Sequence, residues 1–104
     1  MVKELDTAAF REALKEGKTI VADFWATWCG PCRMLAPVME TLSEEYADKA
    51  EFVKVDVDEN PDLAREYSIM SIPCVMMFKN GELIAKNVGF APKDAMKEFI
   101  DKNL

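Results

Sequence analysis

Apolar positions in this chain repeat with two different periods, and the changes of period divide it into elements. Phe10, Ala13 and Leu14 recur at helical spacing, with Asp6 or Thr7 as the N-cap and Gly17 as the stop beyond the C-terminus. Thr19 to Trp25, TIVADFW, is a β-branched and aromatic run of buried-strand length. Met34, Leu35, Val38, Met39, Leu42 and Tyr46 then mark a long amphipathic helix ending near Ala47, with Pro37 inside to bend it. Glu51 to Val57, EFVKVDV, is a second strand, and Asn60-Pro61 opens a short helix to about Tyr67 with Asn60 as its cap.

Beyond that point the pattern changes. Cys74 to Phe78, CVMMF, and Glu82 to Val88, ELIAKNV, are strands joined through Lys79-Asn80-Gly81, and the Asn-Gly pair is a strong hairpin signal. Pro92 begins a last helix with Met96, Phe99 and Ile100 on one face. With Val2 to Leu5 as a short first strand, the order is βαβαβ, a short helix, then ββα. A mixed sheet covered by helices on both faces is the economical packing for that order.

Composition narrows the possible functions. The 104 residues suffice for one compact domain, 1–104, and half of them are apolar. Thirteen basic against nineteen acidic residues leave a net charge of −6, a field that repels nucleic acid and anionic lipid. No apolar run approaches the roughly 20 residues that span a bilayer. The N-terminus, MVKELDTAAF, lacks the long apolar stretch of a secretory signal, so the expected location is the cytoplasm. Three cysteines, an odd number, argue against a disulfide-stapled scaffold. The absence of histidine removes Cys–His catalysis and any imidazole base, leaving thiols, carboxylates, lysines and the backbone.

Two thiols stand three positions apart in Trp28-Cys29-Gly30-Pro31-Cys32-Arg33. Such a pair can hold half a zinc site, staple a turn, or exchange electrons. Zinc needs four ligands, and no second CxxC and no histidine supply them. Placement where a strand ends and a helix begins favours a thiolate at Cys29, because unpaired N–H groups and the helix dipole meet it there. Positions i and i+3 share a helix face, so Cys32 can reach Cys29, while Pro31 stiffens the entry without wasting an N–H. The spacing thus favours an attacking thiolate and a resolving thiol over a metal or an inert staple. Asp23 is the one charge in its apolar strand, six residues before Cys29. Burial would raise its carboxyl pKa toward neutrality, as a proton acceptor needs; the plainer alternative is a charge neutralised by Lys54.

DFWATWCGPCRMLAP resembles the active-site segment of the thioredoxin family, and the likeness extends through KVDVDENPDLAREYSI, SIP, FKNGE and the VG of NVGF. The resemblance implies a thioredoxin fold of class α/β, with a mixed sheet of about five strands flanked by four helices. It implies a monomeric, cytoplasmic protein-disulfide reductase that needs no metal or cofactor beyond a redox-active Cys29–Cys32 disulfide. Its partners would be client proteins with disulfides and a thioredoxin reductase drawing on NADPH or ferredoxin; nucleic acid and membrane are not among them. Asp23 matches the acid that accepts the resolving thiol's proton, and Lys54 the lysine that tunes it. Ile72-Pro73 matches a cis-proline loop facing the dithiol, whose Ile72 backbone pairs with an extended client segment. Trp28, Gly30, Pro31 and Gly89 complete the expected client surface, with Phe90 standing where most relatives carry a small residue. An oxidase or isomerase would fit a histidine between the cysteines better than Gly-Pro. A binding module in which the dithiol is incidental is the rival from another class.

Cys74 departs from the family, which usually has threonine after the cis-proline. It begins a buried strand, where a thiol behaves as a small apolar side chain. The sharper alternative is that Cys74 forms an alternative or mixed disulfide under oxidative stress, or shifts the redox poise.

Overall fold

A computed structural model describes all 104 residues. The elements are β1 (Lys3–Glu4), α1 (Thr7–Lys15), β2 (Ile20–Trp25), α2 (Gly30–Glu45), β3 (Glu51–Asp56), α3 (Pro61–Glu66), β4 (Cys74–Lys79), β5 (Glu82–Val88) and α4 (Lys93–Asn103). Every element expected from the sequence is present, with ends shifted by a residue or two. Asp6 is the cap of α1, its carboxylate accepting from the Ala9 N–H at 2.8 Å. Gly17 follows that helix at φ +76°, the left-handed turn that favours glycine. Helix α2 runs unbroken through Pro37.

The strands form one sheet in the order β1-β3-β2-β4-β5. β3 pairs in parallel with β1 and β2, and β4 is antiparallel to both β2 and β5. The parallel half needs helical crossovers, which α1 and α2 supply. The antiparallel half needs only a two-residue turn, and Asn80 and Gly81 provide it with φ of 54° and 81°.

Alternation along the strands splits the core into two layers. Val21, Phe52, Val75 and Met77 meet α2 and α4 through Leu35, Met39, Leu42, Met96 and Ile100. On the other face Ile20, Ala22, Phe24, Val53, Val55, Met76 and Phe78 meet α1 and α3 through Phe10 and Leu63. β2 lies between two strands and under helices on both faces, which is why its sequence reads as a nearly continuous apolar run.

One cap falls where the sequence expects it but bonds differently. Asn60 stands at the cap position of α3 but makes no side-chain cap bond. Its amide instead donates to the Asp56 carbonyl at 3.0 Å and accepts from the Thr7 N–H at 2.9 Å. A long-range bond between the start of α3 and the start of α1 has taken the side chain from its local role.

Candidate active site

Local sequence builds the dithiol. β2 ends at Trp25, and Cys29 takes the cap position of α2 with extended backbone (φ −89°, ψ 111°). Its sulfur accepts from the Cys32 N–H at 3.2 Å, so the thiol group itself satisfies one free donor of the helix. Pro31 lies in the first turn, where no N–H is needed. Cys29 and Cys32 are joined in a disulfide with Cα atoms 5.2 Å apart, well inside the range such a bridge requires. Side chains cover the pair closely, leaving Cys29 4% and Cys32 3% exposed. Beside it Gly30 leaves open space, since a Cβ added there would meet nothing within 4 Å.

A second segment approaches from the sheet. The Ile72-Pro73 bond is cis. The Ile72 carbonyl oxygen lies 3.9 Å from the Cys29 sulfur, within reach of an S–H donor once the pair is reduced. Neither the N–H nor the C=O of Ile72 engages in a backbone hydrogen bond. The Gly89 N–H donates to the Pro73 carbonyl at 2.8 Å, and its φ of +96° is one that glycine alone adopts without strain. Trp28 stands out from the surface, 68% exposed, with its indole N–H donating to Asp58 at 2.8 Å.

Asp23 lies on the face of β2 that α2 covers, being two residues on from Val21. Cys32 begins the buried stripe of α2 that continues through Leu35, Met39 and Leu42, and with Cys29 and Ala26 it packs against Trp25, Val57 and Ile72 at the end of that layer. Asp23 is 3% exposed, and its Oδ1 has no hydrogen-bond partner. Burial pushes its carboxyl pKa up to about 7; the charge of Lys54 opposes this and that of Glu4 adds to it. Lys54 is level with Asp23 in the parallel ladder but does not close an ion pair with it. Its ammonium sits 4.0 Å from Glu4 and 5.3 Å from the centre of the Trp25 ring.

Comparison with known proteins agrees with this arrangement. The Thioredoxin family model matches residues 1–102. The chain is 48% identical over 104 residues to thioredoxin of Bacillus subtilis, covering 100% of this chain and 98% of that one. It is 50% identical, over the same shares, to thioredoxin of Staphylococcus aureus strain Mu50. The chain belongs to the thioredoxin family.

Within this thioredoxin fold, Cys29, Gly30, Pro31, Cys32, Ile72, Pro73 and Gly89 gather at one end of the sheet, and Trp28 borders them. Asp23 lies beneath, in the layer that Cys32 enters. Lys54 joins through its ladder position rather than through a direct bond. Two neighbours escaped the sequence reading: Asp58, which holds the Trp28 indole, and Glu4, which holds Lys54. Only the pairing register of β1 reveals the second. No group of three or more His, Cys, Asp or Glu side chains could hold a metal. No helix is long and apolar enough to cross a membrane.

Proposed function

We infer that this chain is a protein-disulfide reductase of the thioredoxin type, a single domain over residues 1–104 working as a cytoplasmic monomer. The redox couple is the cysteine pair itself, so no further cofactor is needed. In the reduced protein the Cys29 thiolate attacks one sulfur of a client disulfide. A Cys29–client disulfide forms, and the second client sulfur leaves as a thiolate and takes a proton from water. Asp23, as carboxylate, accepts the Cys32 proton. The Cys32 thiolate then attacks the Cys29 sulfur, the Cys29–Cys32 bond forms, and the remaining client sulfur leaves with the bonding pair. A thioredoxin reductase, fed by NADPH or ferredoxin, returns two electrons and resets the dithiol. Lys54 tunes Asp23. The free backbone groups of Ile72 supply hydrogen bonds for an extended client segment beside Cys29, with Pro73 and Gly89 fixing that loop and Trp28, Gly30 and Pro31 forming the rest of the contact surface.

One observation carries this reading. The disulfide sits on the cap position of α2, where the N–H groups that stabilise a thiolate point at Cys29. Cys32→Ser is expected to stop turnover and accumulate covalent client adducts at Cys29, released by dithiothreitol and visible on non-reducing gels. Sustained reduction of a protein disulfide by that variant would overturn the order of events.

A further inference from the structure

Three charged side chains stand in one row across the parallel half of the sheet. Glu4 on β1 is level with Lys54 on β3, and Lys54 is level with Asp23 on β2. Level partners in a ladder project to the same face, so one ammonium stands between two carboxylates. It leans to the outer one. The Lys54 ammonium is 4.0 Å from the Glu4 Oε1 atom, while the Asp23 Oδ1 atom is buried and unpartnered. The other Glu4 oxygen accepts from the Trp25 indole N–H at 3.3 Å, and the same indole ring lies under the Lys54 ammonium at 5.3 Å. Glu4, Trp25 and Lys54 therefore form a closed clamp on the β1 side of the row.

We propose that Glu4 is a positioning residue for the resolving step: with Trp25 it holds the Lys54 ammonium at the sheet edge, away from the Asp23 carboxyl. The proposal rests on the assignment of Asp23 as proton acceptor. Without the clamp the flexible lysine stem would let the ammonium swing inward and stabilise the Asp23 carboxylate. A carboxylate stabilised in that way is a weaker base for Cys32. The groups that bear on this row are few. Lys54 and Glu4 act on Asp23 directly. Burial raises Glu4, the Trp25 N–H and Lys54 oppose this, and Asp56 and Glu59 add to it. Burial raises Cys74 on β4, Lys86 opposes this and Asp23 adds to it. From the start of α2, Cys29 and Cys32 pack against Trp25, Val57 and Ile72.

Glu4→Gln separates charge from shape, because the amide oxygen can still accept the Trp25 N–H. The Asp23 carboxyl would be titrated by carbon-13 NMR in the oxidised protein, alongside the pH profile of single-turnover client release. The midpoint of Asp23 is expected to fall by roughly half a pH unit or more in Glu4→Gln. In the Lys54→Met background the same change should lower the midpoint by clearly less, since only the direct field of Glu4 is then removed, and Glu12→Gln, an exposed carboxylate on α1, should have no effect. An unmoved midpoint in Glu4→Gln overturns the proposal. So does an equal shift with and without Lys54, since Glu4 would then act by its own field alone. If Asp23 moves as stated and the release profile does not follow, the clamp stands and the role of Asp23 as acceptor fails.

Discussion

The two places where this chain puts thiols lie on opposite layers of one sheet. Cys29 and Cys32 enter from α2, over the face that carries Asp23. Cys74 opens β4 and points the other way, into the layer of Phe10, Phe24 and Phe78. All three are buried, so exposure does not separate them. Their electrostatic surroundings do. At the start of α2, free N–H groups and the positive end of a 16-residue helix meet Cys29, and the Ile72 carbonyl offers a partner to its thiol. At Cys74, burial raises the thiol pKa, and the thiol stays unpaired. A sulfur becomes a nucleophile here through backbone dipoles, which a strand in an apolar layer cannot supply.

The largest effect that can break this contrast is removal of the attacking sulfur. Cys29→Ser should lower insulin-disulfide reduction by ~10³-fold or more, because a neutral hydroxyl is a far weaker nucleophile than a thiolate. If Cys74 could stand in for Cys29, measurable reduction would survive in that variant and vanish only in the Cys29→Ser, Cys74→Ser double variant. The expected result is that the single and double variants are equally inactive.

Asp23 sharpens the contrast from the other side, because it places a cost in the layer under α2. Its carboxyl titrates at about 7 when folded, against an ordinary 3.8. Between those values the folded protein keeps a proton that the unfolded chain has released, so folding stability falls as pH rises from about 4 to about 7. Above that the loss is complete, and at one pKa unit per 1.36 kcal/mol it amounts to at most ~4 kcal/mol. Asp23→Asn should therefore stabilise the protein by up to ~4 kcal/mol at pH 8 and by little at pH 4, read from urea unfolding at both. The same variant should slow client release about 10²-fold at pH 7, since a general base is lost. Gained stability without slowed release would leave Asp23 a buried charge with no part in the reaction.

Much of this was legible along the chain, because it depends on neighbours a few residues apart. The dithiol on its helix cap, the Asn80-Gly81 turn and the two apolar periods are local features. What failed to show depends on distant pairing. Asn60 has the composition of a cap, yet its partner is Thr7, 53 positions away. β1 is expected over Val2 to Leu5, but only two residues of it pair, too few for any pattern to fix its register. The lysine level with Asp23 could be named from apolar alternation, but the glutamate that holds that lysine could not. Register decides such partnerships, and register is a property of the assembled sheet.

The smallest expected effect is also the one that closes the comparison. Cys74 is 2% exposed, among Phe10, Phe24, Met76 and Phe78. Cys74→Ser keeps the volume nearly constant and replaces a weakly polar S–H by a hydroxyl in a largely apolar layer, so it should cost about 1–3 kcal/mol of stability. Reduction rates should stay within about twofold of the parent, because the substitution leaves the charge beside Cys29 and Cys32 as it was. Thiol counting provides the independent check. The oxidised protein, unfolded in guanidinium and treated with a maleimide, should release one labelled peptide, and it should contain Cys74. A label on Cys29 or Cys32 instead would mean that the third thiol exchanges into the bridge. In that case the apolar layer would no longer be a refuge from the redox chemistry on the opposite face.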